Sequence, residues 1–132
     1  MSQRYVPEGF HQVTPYLTVE GANRLLDFLV EVFDAEVMNR FDKPDGTIGN
    51  AAVRIGDSTI EVAEATDRFG PMPGAIHIYV PDVEQAHQKA IQHGAQVILE
   101  PMDMDYGERA SAVKDPAGNH WYIATYVGGR GP

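Results

Sequence analysis

The chain has no cysteine among its 132 residues. Disulfides, thiolate metal sites and a cysteine nucleophile are therefore excluded, and a cytoplasmic protein is expected. No apolar run approaches the ~20 residues that span a bilayer, and Met1 to Tyr5 lacks the apolar core of a secretory signal, so no membrane is expected as a partner. Positive charge is scarce: 10 Lys and Arg stand against 19 Asp and Glu, a net charge of −9. Phosphate contacts need clustered Lys and Arg, so nucleic acid is not an expected partner. The excess of carboxylates serves solubility first and mildly favours cationic ligands. A Gly-rich phosphate loop, a nucleophile elbow and a zinc-protease helix are all missing.

What is present is an ordinary globular composition, 43% hydrophobic and 22% charged. The length suits one domain, or two small modules sharing a core. Residues 1–10 read as an N-terminal arm, broken by Pro7 and Gly9. A strand is predicted over 11–19, then a helix over Ala22–Phe33, where Ala22, Leu25, Leu26, Leu29, Val32 and Phe33 share one face. Strands follow at Glu36–Asp42, Ile48–Ile55 and Ser58–Glu64, the last two joined across Gly56-Asp57. Residues 67–74, with Gly70, Pro71, Pro73 and Gly74, form a linker.

The pattern then restarts: a strand over 75–80, a helix over 83–93 ended by Gly94, a strand over 96–99 and a loop over 101–107. Strands over 109–114 and 119–126 close a hairpin around Asp115-Pro116-Ala117-Gly118, in which Pro116 presets φ and Gly118 supplies a positive one. Residues 128–132 read as a flexible tail. Asp34-Ala35-Glu36-Val37 matches Gly94-Ala95-Gln96-Val97, and Ala52-Val53-Arg54 matches Ala112-Val113-Lys114. The period of about 60 residues is too long for a solenoid unit and points to an internal duplication. The expected fold is α+β: two βαβββ modules, 11–66 and 75–127, forming an open, curved, mixed eight-stranded sheet around a cavity with the helices outside.

Strand alternation separates two faces. Leu17, Val19, Ile60, Val62, Trp121 and Ile123 would pack under the helices. The other face gathers Thr14, Tyr16, Glu61, His77, Tyr79, His120 and Tyr122. A solvated sheet face would carry Lys, Glu, Arg and Gln; Tyr, His and Thr suit a ligand-sized concavity. The alternative is that these aromatics fill a core and satisfy one another's hydrogen bonds.

The duplication, the Ile55-Gly56-Asp57-Ser58 hairpin, the Tyr106-Gly107-Glu108-Arg109 segment and Asp115-Pro116-x-Gly118-x-x-Trp121 together resemble the vicinal oxygen chelate superfamily of glyoxalases, bleomycin-resistance proteins and extradiol dioxygenases, and within it the PhnB-like branch. The resemblance runs from Thr14 to Tyr126 and implies a homodimer. It also implies that metalloenzyme members hold a divalent metal from the first and last strands of each module. In this chain those positions fall at Thr14, Glu61, Ala75 and Tyr122, of which only Glu61 is an ordinary ligand. No metal or other cofactor is therefore expected; a divalent metal on Glu61, His77 and His120 is the alternative.

Arg109 either holds an anionic group of a ligand or forms a surface ion pair, and His87 and His93 are expected to face solvent or cap their helix. Asp103 and Asp105 offer too few ligands for a calcium loop. The leading functional expectation is a small-molecule binder with a degenerate metal site. Tyr16, Tyr79 and Tyr122 would stack on the ligand and Glu61 would favour a cationic group. Its rivals are a metal-dependent lyase, isomerase or dioxygenase, and a purely structural module with a filled cavity.

Overall fold

The two halves repeat one ladder. In a computed structural model that describes residues 5–128, Tyr16 pairs with Glu61 and Glu61 with Ala52, and the same positions recur as His77, Tyr122 and Ala112. The elements are β1 (Tyr16–Val19), α1 (Ala22–Phe33), β2 (Glu36–Asp42), β3 (Ile48–Ile55) and β4 (Ser58–Glu64), then β5 (Ala75–Tyr79), α2 (Val83–Gln92), β6 (Gln96–Met104), β7 (Glu108–Lys114) and β8 (His120–Tyr126). The α+β duplication expected from the sequence is therefore present. The eight strands are divided, however, into two four-stranded sheets, ordered β1-β4-β3-β2 and β5-β8-β7-β6, and do not form one continuous sheet. In each sheet the outer pair, β1–β4 or β5–β8, is parallel and the remaining pairs are antiparallel.

Two boundaries differ from expectation by several residues, each for a local reason. Residues 11–15 are irregular, and Val13 is 84% exposed. The parallel ladder begins only where Glu61 N donates to Pro15 O, and Pro15 has no N–H to extend it. β6, by contrast, runs on to Met104 through the expected loop. It is an edge strand, where proline is tolerated, and register shifts between Val97 and Leu99 and between Leu99 and Met102 absorb Pro101. Residues 1–4 of the expected arm and 129–132 of the expected tail lie outside the described residues.

α1 has no side-chain cap of its own. Glu64, from the end of β4, accepts hydrogen bonds from Gly21 N and Ala22 N at 3.1 and 2.9 Å, placing a carboxylate at the positive end of the helix dipole. Asp82 caps α2 by accepting from Gln85 N.

α1 packs on β3 and β4, α2 packs on β6, β7 and β8, and the helices touch each other. One core results, joining Leu25, Leu29 and Val62 of the first module to Val113, Trp121 and Ile123 of the second. Its joint is Phe33 against Trp121, with ring centroids 4.9 Å apart. The turn before β8 holds this joint. Asp115, 4% exposed, accepts hydrogen bonds from Ala117 N, Asn119 N, Asn119 Nδ2 and Trp121 Nε1, and Asn119 Oδ1 accepts from Gly74 N of the linker. Each sheet thus has one face against a helix and one face turned away from it.

Candidate functional site

Cross-strand partners share a sheet face, so the ladders specify both outward faces. On the first sheet, Tyr16 and Glu61 are neighbours, and Asn50 Nδ2 donates to Glu61 Oε1 at 2.9 Å and to Tyr16 Oη at 3.4 Å. Thr14 is half-buried in the irregular stretch before β1.

On the second sheet, Ala110 pairs with Ala124, Ala112 with Tyr122 and Glu108 with Tyr126, while His77 and Tyr79 of β5 pair with Tyr122 and Ala124. Ala110, Ala112 and Ala124 make a buried floor of methyl groups beneath larger neighbours. Because the floor is low, side chains of β5 reach across β8 to β7. His77 Nε2 lies 3.2 Å from Glu108 Oε1, and Tyr79 Oη donates to Glu108 Oε2 at 3.3 Å. The His77 and Tyr79 rings are tilted on each other at 4.8 Å. The charge of Glu108 pushes the Tyr79 phenol above its ordinary range, with burial, the hydrogen bond to Glu108, and Tyr106 and Tyr126 nearby adding to it. His120 sits at the far end of this face, paired with Ala75 and Lys114, and Tyr122 is exposed between the two ends.

Glu108 was not among the residues singled out from the sequence, yet it is the buried carboxylate of this face, 7% exposed. It lay one residue outside the strand expected over 109–114. Alternation through β7 puts Glu108, Ala110 and Ala112 on one side and Arg109, Ser111 and Val113 on the other. Arg109 accordingly does not join the tyrosines. It faces α2, where its Nη2 and Nε lie 2.6 and 2.7 Å from Glu84 Oε2 and its Nη1 lies 3.1 Å from Asp103 Oδ1. These two carboxylates raise the guanidinium above its ordinary value, and Arg109 holds the Glu84 carboxyl below its own.

His87 also departs from expectation. It is buried, not solvent-facing, with Nδ1 2.9 Å from Ser111 Oγ and Nε2 3.4 Å from Glu100 Oε1. Ser111 is 1% exposed, so this chain of polar groups fastens α2 to β7 and β6 and offers no accessible nucleophile.

The sequence-predicted residues therefore form two groups, one on each sheet: Tyr16 with Glu61, and His77, Tyr79, His120 and Tyr122 along the paired strands β5 and β8. Among the described residues no three His, Asp or Glu side chains come together in a way that could hold a metal ion. Thr14, Glu61, Ala75 and Tyr122 include one carboxylate and no imidazole. That donor set does not fit a divalent metal that takes three or four strong N or O ligands. A cleft of about 800 Å³ lies where the modules meet, lined by Val13, Ile55 and Ile60 on one side and Ile78, Asp82 and Gln85 on the other. His77 and Tyr79 are on its wall, so the cleft adjoins the outward face of the second sheet.

The family model described as Glyoxalase/Bleomycin resistance protein/Dioxygenase superfamily matches residues 9–123. An uncharacterized protein of Mycobacterium bovis is 33% identical over 126 aligned positions, covering 87% of this chain and 83% of that protein. An uncharacterized protein of Mycobacterium tuberculosis has the same identity over 126 positions, with 87% and 74% covered. Among solved structures, TioX of Micromonospora sp. ML1 superposes with a TM-score of 0.70 at 22% identity, covering 90% of this chain and 98% of that one. A PhnB protein of Bacillus cereus gives 0.69 at 15% identity, covering 87% and 99%. A glyoxalase/bleomycin resistance protein/dioxygenase family enzyme of Burkholderia phytofirmans PsJN gives 0.71 at 17%, covering 86% and 96%. At these identities the solved structures share the fold. The family match spans both modules and their linker, and the chain belongs to the glyoxalase/bleomycin resistance protein/dioxygenase superfamily.

Proposed function

We propose that this protein binds a small aromatic or cationic molecule on its outward sheet faces, as a homodimer, and that the metal site of the superfamily is degenerate in it. One observation carries the reading: a sheet face with a floor of three buried alanines, rimmed by His77, Tyr79, Tyr122 and Tyr126, around a buried carboxylate. A face that only met solvent would not order its largest side chains around a buried charge, because burying a carboxylate is costly unless it is paired. Aromatic rims over a low floor suit a flat or cationic ligand.

The experiment has two arms. Protein loaded with Zn²⁺, Mn²⁺, Fe²⁺ or Ni²⁺ and then dialysed is measured for metal by plasma mass spectrometry, and metal-free protein is screened by thermal shift against aromatic and cationic compounds. The expected result is no retained metal and a ligand-dependent rise in Tm. About one retained equivalent per chain would replace this reading with a metal-dependent lyase, isomerase or dioxygenase. A screen without a single shift would replace it with a structural or interaction module.

A further inference from the structure

We infer that Glu108 is the seat for a methylated ammonium group, enclosed by the rings of Tyr79, Tyr106 and Tyr126; this deepens, and rests on, the binding function proposed above. Glu108 is the buried carboxylate of the outward face, with His77 Nε2 at 3.2 Å and the donating Tyr79 Oη at 3.3 Å. These occupy two of the roughly four acceptor positions of a carboxylate. Among the described residues no Lys or Arg forms an ion pair with it. The adjacent Arg109 points to the other face and is engaged by Glu84 and Asp103.

The surroundings are aromatic. Tyr126 is the direct cross-strand partner of Glu108 on β8, Met104 is its partner on β6, and Tyr106 is in the turn that precedes β7. Tyr79, Tyr106 and Tyr126 are 62, 47 and 66% exposed, whereas Glu108 is 7% exposed. The faces of such rings attract cations, most strongly where water is displaced. A primary ammonium directs three N–H groups to acceptors, and the faces of tyrosine rings offer it none. A methylated ammonium needs none, and its methyl groups pack on the rings. Glu61 is a weaker seat, because the Asn50 amide already donates to it and Tyr16 is the single tyrosine beside it.

The test is calorimetric titration of the full chain with choline and with its uncharged isostere 3,3-dimethylbutan-1-ol. Choline is expected to bind at least tenfold more tightly. Glu108→Gln should erase that preference, Tyr106→Leu and Tyr126→Leu should weaken choline severalfold each, and Glu36→Gln, an exposed carboxylate on the edge strand β2, should leave it unchanged. The two tyrosines are exposed, so their variants keep the test valid if Glu108→Gln folds poorly. Equal affinity for the two probes, no binding of choline, or loss of the preference in Glu36→Gln would overturn the inference. The broader reading fails separately: an uncharged aromatic hit together with no preference for choline over its isostere would sink the cation seat and retain the binder, whereas an empty screen with no binding of choline sinks both.

Discussion

Asp115→Ala tests what holds the second module in place. The carboxylate accepts four hydrogen bonds of 2.7 to 3.0 Å, from Ala117 N, Asn119 N, Asn119 Nδ2 and Trp121 Nε1. Asn119 and Trp121 are 0 and 1% exposed, so their donors cannot turn to water when the acceptor is removed. Each orphaned buried donor costs about 1–3 kcal/mol. Water entering the space vacated by the carboxylate offsets part of this, and a net loss of about 3–5 kcal/mol is expected, the range for removing one partner from a buried ionic network. A domain of this size has only about 5–15 kcal/mol in total. At roughly 3–5 °C per kcal/mol, Tm should fall by about 10–20 °C. Urea unfolding at unchanged m-value is the assay. The single tryptophan is a second readout, because Trp121 is both the donor to Asp115 and the ring against Phe33. Its emission should shift to longer wavelength in the native variant as the joint between modules loosens. Asp115→Asn keeps one acceptor oxygen but turns an NH₂ group towards the remaining donors, and should lose at least half as much. A Tm within about 3 °C of the parent, with unshifted emission, would refute the claim that this turn secures β8.

Two further outcomes follow from the same geometry. Gly118→Ala places a Cβ 3.5 Å from Pro73 Cγ, an ordinary contact, so its cost should be the backbone strain of a φ of +97° alone, about 1–2 kcal/mol by urea unfolding. A neutral result would mean that the turn relaxes to another form. Glu84→Gln should lower Tm near neutral pH by removing a charge-assisted partner of Arg109. The Glu84 carboxyl lies below its ordinary 4.5 because it is bonded to Arg109, so the stabilisation is present above that value and is lost as pH falls through the lowered one. The Tm gap between parent and variant should be constant from about pH 6 to 8 and narrow progressively as pH falls below the ordinary carboxyl range; a gap that persists in strong acid would assign the loss to packing.

Much of the fold was legible because its signals are local. α1 shows a complete apolar stripe, and Gly56-Asp57 between two alternating runs marks the β3–β4 hairpin. The errors were also local signals, overridden by sheet position. Pro101 reads as a breaker but lies on an edge strand, and 11–15 alternates like a strand but has no partner until Pro15. Alternation also placed Tyr16, Glu61, His77, Tyr79 and Tyr122 on outward faces. It could not show that Glu61 and His77 lie on different sheets, since the separation of two sheets is not a property of either strand. Glu108 was missed because it lay one residue before the strand expected over 109–114, and of the two roles left open for Arg109 the structure shows the surface ion pair, with Glu84 and Asp103.

The duplicated frame makes the divergence of its two faces readable. Tyr16, Glu61 and Ala52 occupy the ladder positions of His77, Tyr122 and Ala112, so the last strand of the first module carries a carboxylate where that of the second carries a phenol. The second module instead has its buried carboxylate one strand over, on β7. The consequences for each charge differ. Glu61 is served by Asn50 from the adjacent strand and stays half-buried, whereas Glu108 depends on donors that cross β8 over Ala124. A larger residue at Ala124 would therefore cut Glu108 off from Tyr79 and His77 while leaving Glu61 untouched. The equivalent frames thus carry inequivalent charge environments, one carboxylate half-buried and held by the Asn50 amide, the other buried and held by Tyr79 and His77.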